Sequence, residues 1–253
     1  VRASALRTLA ETYRGLAVFP TAVAAAESSV ALLARLPRAD PLERANALRT
    51  LGEALSSQGD RNGGLRRFEQ ALALVRAARP SDPDLESTLL NYMGTAYYYR
   101  GDIRTSDSLL AASIALARRH HRPADAFVGG QLQRQGSILT YTGRAAAAVA
   151  PLRESLALLR GGHGDTHPYV LRSSYLLGDA LRATGAFAEA ETTLRDALAI
   201  ARRLFGATPH PLTADVLDRL GNAQRSLGRL DAAEASLREA AAMRTATLGA
   251  GHN

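Results

Sequence analysis

The sequence predicts an all-α fold, a right-handed superhelical solenoid of six helix-turn-helix repeats. Two observations carry this prediction. A glycine recurs at intervals of 42, 42, 42 and 43 residues, and a second glycine follows each one by seven positions. Self-similarity at a fixed period of this length is typical of stacked helical repeats. The first glycines are Gly52, Gly94, Gly136, Gly178 and Gly221, and the second ones are Gly59, Gly101, Gly143, Gly185 and Gly228.

The first helix of each repeat is predicted around the first glycine. Apart from Gln135 and Gln224, apolar residues lie one position before it and three positions after it, which is helical spacing. A glycine inside a helix costs about 1 kcal/mol relative to alanine. Its retention in five repeats therefore predicts that a neighbouring helix crosses too closely for a side chain. The second glycine is predicted to end the helix in the left-handed conformation.

The second helix of each repeat is predicted from a matching pattern. A large apolar residue lies sixteen positions after each first glycine, and small residues recur three positions later. Residues 2–37 fit as a degenerate repeat in which Ala10 and Ala17 replace the two glycines. We therefore expect one solenoid over residues 1–253, with repeats at about 2–37, 44–79, 86–121, 128–160, 168–205 and 211–248.

The linkers between repeats carry a resemblance to a known family. The segments at 205–211 and 164–168 resemble a Leu-Gly-x-x-His-Pro linker. Together with the two-helix pattern, they make the chain similar to tetratricopeptide repeats of the 42-residue type found in kinesin light chains. The array also resembles the C-terminal repeat region of bacterial serine/threonine protein kinases. This resemblance implies a protein–protein interaction module of a larger bacterial signalling protein. Repeat-containing transcription regulators are similar as well.

Composition limits the classes of function. All 31 basic residues are arginine, the net charge is +7 and cysteine is absent, which excludes disulfides and thiolate metal sites. The sequence contains no apolar run of 18 residues, so no membrane span is predicted. Because Val1 falls in a helix pattern and Asn253 in a linker pattern, we expect a fragment of a longer protein. The sequence does not determine the cellular compartment. A cytoplasmic location is favoured, and an extracytoplasmic one would follow if a membrane helix preceded the array.

The first helices are expected to line a concave groove. The predicted groove positions hold six Arg, three Asp and two Glu, so the groove is nearly neutral. Nucleic acid requires a continuous basic track, and we therefore predict a protein or peptide partner and no nucleic acid.

Amides, tyrosines and arginines make the central groove a candidate peptide site. Amides can pair with the backbone of an extended peptide, tyrosine favours interfaces, and arginines at both ends can pair with carboxylates. The alternative is that these side chains are only solvated. The predicted groove residues are Arg49, Asn91, Tyr98, Tyr99, Gln133, Thr140, Tyr141, Arg172, Tyr175 and Arg182.

No nucleotide-binding, metalloprotease or nucleophile-elbow motif occurs, so we predict no enzyme, no cofactor and no metal. His163, Asp165 and His167 could hold a metal, but a histidine before proline favours a helix cap or a closed turn. We expect Asp179 to form an ion pair with Arg182. The predicted function is binding of an extended peptide, and the alternatives are a structural spacer, a self-association scaffold or the repeat domain of a transcription regulator.

Overall fold

The computed structural model describes residues 2–121 and 125–248, which form twelve α-helices and no strand. The prediction of an all-α helical repeat solenoid is confirmed. The helices are α1 (Arg2–Gly15), α2 (Phe19–Ala34), α3 (Pro41–Gln58), α4 (Arg61–Ala77), α5 (Pro83–Tyr99), α6 (Ile103–His120), α7 (Ala126–Tyr141), α8 (Ala145–His163), α9 (Pro168–Ala183), α10 (Phe187–Phe205), α11 (Pro211–Ser226) and α12 (Leu230–Leu248).

The helices pair in chain order, and the pairs fall into two compact units. The first unit, Val1–His120, holds α1 to α6, and the second, His121–Asn253, holds α7 to α12. We call the odd-numbered helices A helices and the even-numbered ones B helices. In every pair the A helix packs on its own B helix, and within each unit a B helix packs on the next A helix. None of the described helices is long and apolar enough to cross a membrane.

The A helices α3, α5, α7, α9 and α11 begin at side-chain caps that lie in the linkers. The carboxylates of Asp40, Asp82 and Asp125 accept backbone N–H groups at the starts of α3, α5 and α7. The Nδ1 atoms of His167 and His210 do so at the starts of α9 and α11. The sequence favoured a helix cap or a closed turn at His167, and the structure shows the cap there and the same cap at His210.

The first glycines lie where each A helix crosses its B helix. A Cβ atom added at any of the five would lie within 3.0 Å of a side-chain carbon of the B helix. The residue met is always the apolar one sixteen positions later. The predicted close crossing is confirmed, and overpacking explains why no side chain is tolerated there. The residues met are Phe68, Leu110, Leu152, Leu194 and Leu237.

The second glycines all adopt positive φ, from 71° at Gly228 to 108° at Gly59. Ala17, their counterpart in the degenerate repeat, also has a positive φ, of 58°. The chain therefore makes the same left-handed turn even where the residue carries a Cβ.

Each unit has its own apolar core. In the first unit the core between α4 and α5 is built around Phe68, which stacks on Tyr92 with ring centroids 5.3 Å apart. In the second unit a larger cluster runs through α8, α9, α10 and α11. These cores fix the A helices and thereby the side chains that the A helices present.

Candidate partner-binding face

Arg49 lies in a closed network of charges in the first unit. Its guanidinium donates to Glu53 of the same helix and, at 3.1 Å, to Glu11 of α1. Arg14 pairs with Glu53 at 3.1 Å. Although burial acts to lower it, Glu53 and Glu11 hold the pKa of Arg49 above its ordinary value. Arg49 therefore already has two carboxylate partners, one on its own helix and one on α1.

Asn91 and the two predicted tyrosines of α5 differ in exposure. Asn91 is 1% exposed, so its amide lies inside the first unit. Tyr98 is half-buried, and Tyr99 is 57% exposed, with the two ring centroids 5.0 Å apart. The guanidinium of Arg61 lies 4.3 Å from the centre of the Tyr99 ring. Of these three predicted groove residues, only the tyrosines reach the surface.

Gln133 and Thr140 of α7 direct their polar groups to the protein itself. Gln133 is 7% exposed, and its Nε2 atom donates to the Tyr169 carbonyl at 2.8 Å and to Ser173 Oγ at 2.7 Å. The hydroxyl of Thr140 donates to the Gly136 carbonyl of its own helix at 2.9 Å. Gln133 therefore joins α7 to α9, because its position on α7 faces the next A helix.

Tyr141 and Tyr175 lie close together on the A-helix side of the second unit. Tyr141 is 58% exposed at the end of α7, whereas Tyr175 of α9 is 9% exposed. The guanidinium of Arg219 lies 4.8 Å from the centre of the Tyr175 ring. Burial raises the pKa of Tyr175, and the charges of Arg172 and Arg219 oppose that shift. Tyr175 is thus buried, whereas Tyr141 and Arg172 are exposed.

Asp179 pairs with Arg219 of α11 at 2.6 Å. The expected pairing with Arg182 is therefore wrong, because Arg219 comes closer from the neighbouring A helix. Burial raises the pKa of Asp179, while the Arg219 guanidinium acts in the opposite direction. Burial likewise acts to lower the pKa of Arg219, but Asp179 raises it overall. The pair ties α9 to α11 and neutralises the centre of this face.

Arg172 and Arg182 remain on α9 without a carboxylate partner. Among residues 2–121 and 125–248, no Asp or Glu lies within ion-pair distance of either guanidinium. Arg172 is exposed, and Arg182 is half-buried with no hydrogen-bond partner for its Nε atom. They are ten residues apart, which is about 15 Å along a helix. We call Tyr141, Arg172, Tyr175 and Arg182 the α9 face.

The sequence analysis did not identify Arg219, which pairs with Asp179, or Arg61, whose guanidinium lies over the Tyr99 ring. The sequence does contain a signal for Arg219. Glu11 and Arg49 are 38 residues apart, and Asp179 and Arg219 are 40 residues apart. Each pair joins an acidic residue just after a first-glycine position to an arginine just before the next one. Pairing charges one repeat apart would have identified both bridges.

No group of three or more metal-ligating side chains occurs in the described part of the chain. The rings of His163 and His167 stack with centroids 4.3 Å apart. His167 uses its Nδ1 atom for the helix cap, which is the role that the sequence favoured over metal binding.

Comparisons with known proteins agree with this architecture. Two family models, both described as tetratricopeptide repeat, match residues 130–203 and 213–253. No curated protein matches the sequence. Among solved structures, BtubC (BKLC) from P. vanneervenii is similar with a TM-score of 0.78 and 20% identity, over 91% of this chain and 92% of that one.

Two further structures are similar at lower identity. Apo RapI has a TM-score of 0.63 and 11% identity over 96% of this chain and 83% of that one. The Cut9-Hcn1 hetero-tetramer has a TM-score of 0.69 and 15% identity over 96% of this chain and 40% of that one. The family models identify residues 130–203 and 213–253 as tetratricopeptide repeats, and the solved structures share the helical-repeat fold of the whole chain. Such repeats are a non-catalytic type of scaffold and in general mediate protein–protein interaction.

Proposed function

We propose that this tetratricopeptide repeat array binds an extended, acidic segment of a partner protein on the α9 face. The observation that carries the proposal is the pair of arginines, Arg172 and Arg182, that lack carboxylate partners. Arginine forms short charge-assisted hydrogen bonds with carboxylates. The Asp179–Arg219 pair between them is already neutral, so a ligand's negative charges are drawn to the two ends of the face.

The spacing of the arginines defines the ligand. About 15 Å separates them along the helix, and an extended peptide advances about 3.3 Å per residue. The ligand therefore carries two acidic groups four or five residues apart, one of which can be a terminal carboxylate. Tyr141 supplies exposed aromatic area beside them, as is common at interfaces.

Peptides with two acidic residues at systematically varied spacing test this proposal, with affinity measured by fluorescence anisotropy. Arg172→Ala and Arg182→Ala are each expected to weaken binding about tenfold or more, since hydrogen bonds to charged groups contribute about 1.5–3 kcal/mol. Tyr141→Ala is expected to cost at least ~1 kcal/mol. The best spacing should be four or five residues.

The matched control is the Arg66→Ala/Arg67→Ala double variant on the B helix α4, where Arg66 is exposed. It removes two arginines away from the A helices and should leave affinity nearly unchanged. Binding that responds to Arg66 and Arg67 but not to Arg172 and Arg182 would overturn the proposal. In the first unit, Tyr98→Ala and Tyr99→Ala test separately whether the exposed tyrosines of α5 also contact a ligand.

The alternative functions predict different results in the peptide-binding measurements. A structural spacer or self-association scaffold predicts no peptide affinity. Self-association also predicts a mass that rises with concentration in sedimentation measurements. Two further statements stay predictions: that the chain is part of a larger bacterial signalling protein, and that it does not bind nucleic acid.

A further inference from the structure

The A helices of this protein are capped by two chemically different side chains. Asp40, followed by proline, accepts the amide two residues later at 3.0 Å. His167 and His210, also followed by proline, accept the amides of Tyr169 and Leu212 in the same register, both at 3.2 Å. The backbone arrangement is shared, and only the accepting atom differs.

We infer that the histidine caps make the starts of α9 and α11 sensitive to acid, so that lowering the pH from about 7 to about 5 loosens these two helices and leaves the aspartate-capped helices in place. The accepting Nδ1 atom must carry a lone pair, which only neutral imidazole provides. Protonation converts the acceptor to a donor. It also places a positive charge at a helix N-terminus, where the helix dipole disfavours cations.

The surroundings of His167 do not stabilise its charged form. Its ring stacks on His163, and the adjacent linker carboxylate of Asp165 lies 3.5 Å from Arg160 of α8. From α10, Arg203 reaches the linker and donates to Thr166 at 3.2 Å. Burial, followed by the charge of His163, lowers the pKa of His167.

His210 is half-buried against an aromatic ring. Its ring stacks on Phe205 at the end of α10, with centroids 3.5 Å apart. From α12, Arg244 faces α11 and lies 3.5 Å from Asp215 and 3.6 Å from Asp218. Burial lowers the pKa of His210. In the part of the chain that the structure describes, no carboxylate lies within ion-pair distance of His167 or His210.

The sign of the pH dependence follows from these shifts. A histidine whose pKa falls on folding stabilises the folded state above its unfolded value of about 6.5. That contribution is lost as the pH falls through the lower folded value. A carboxyl group keeps an oxygen that can accept the amide whether or not it is protonated, so α3, α5 and α7 retain an acceptor at their starts when the histidine caps become donors.

Hydrogen exchange measured by NMR tests the inference on individual amides. The first i→i−4 backbone hydrogen bonds of the three matched helices run from the amide of Arg44 to the carbonyl of Asp40, from Leu171 to His167 and from Ala214 to His210. After correction for intrinsic rates, the protection of Leu171 and Ala214 should fall about fivefold between pH 7.5 and 5.0, which corresponds to loss of one cap. The protection of Arg44 should stay constant.

Substitutions of the capping residues supply the controls. His167→Asn with His210→Asn keeps a capping side chain that does not titrate, so protection at Leu171 and Ala214 should become independent of pH. Asp40→His should transfer the acid response to Arg44. If the asparagine variant and the wild type lose protection equally between pH 7.5 and 5.0, or if Asp40→His leaves Arg44 insensitive to acid, the inference is wrong.

Discussion

The tight crossing at Gly136 can be tested against a second glycine of the same helix. A Cβ at Gly136 would lie 2.6 Å from Leu152 Cδ2 and 3.2 Å from its Cδ1. A Cβ at Gly130, six residues earlier in α7, would meet nothing within 4 Å. Alanine gains the same helix propensity at both positions, so a difference in stability between the two variants reports the difference in packing.

The expected magnitudes follow from these distances. Gly130→Ala should stabilise the protein by about 1 kcal/mol, because alanine is the better helix former. Gly136→Ala carries the same gain but overpacks the core, which typically costs about 1–3 kcal/mol. Its free energy of unfolding should therefore be about 1–3 kcal/mol below that of Gly130→Ala. Leucine at position 136 should cost at least as much.

Urea unfolding followed by far-UV circular dichroism measures both variants, and a compensating change in α8 tests the cause. Leu152 is fully buried, so Leu152→Ala alone should cost about 2–5 kcal/mol. In that background the methyl group of Gly136→Ala enters the space that Leu152 vacates and should stabilise the protein. Equal stabilities for Gly130→Ala and Gly136→Ala, or strictly additive effects of Gly136→Ala and Leu152→Ala, would refute the steric explanation.

Three further predictions concern backbone strain, charge pairing and local stability. Ala17→Gly should raise the unfolding midpoint, because a left-handed L-residue costs about 1–2 kcal/mol; an unchanged midpoint would contradict the strain. Arg219→Ala leaves the Asp179 carboxylate without its partner and should cost about 1–3 kcal/mol in denaturant titrations. Asp179→Ala in that background should recover part of the loss, and no recovery would argue against the pair. Amide exchange should be fastest over residues 211–248, where exposed Ala241 replaces the Leu or Ile of the inner repeats; uniform protection along the chain would contradict this.

Local chemistry made most of the helical architecture predictable. Several features act through contacts that recur with the repeat period. They are the glycine next to a crossing helix, the left-handed residue at a helix end and the histidine before proline. The apolar residue sixteen positions after Gly136 could therefore be expected to meet it, and it does. Gln224 occupies a position that holds Leu or Tyr in the other repeats, and Ser236 donates to its Oε1 atom at 2.8 Å, so the buried amide oxygen has a partner.

The candidate site was predicted less completely. Tyr99, Tyr141 and Arg172 reach the surface as expected, because their positions point away from the neighbouring helices. Asn91 and Gln133 were expected at the surface and are buried. Helical periodicity gives the direction of a side chain around its own axis, but it does not give the distance to the next A helix.

The sequence by itself therefore determined the repeat, the helix pairs and the glycine crossings. Only the tertiary structure decided that Asp179 pairs with Arg219 rather than with Arg182, which leaves Arg182 without a carboxylate partner in the described residues. Asp179 and Arg182 share a turn of one helix, whereas Arg219 is 40 residues away. The physical reason is that helix-to-helix packing sets the separation of side chains on neighbouring repeats, and a charge pairs with whichever partner that packing brings closest.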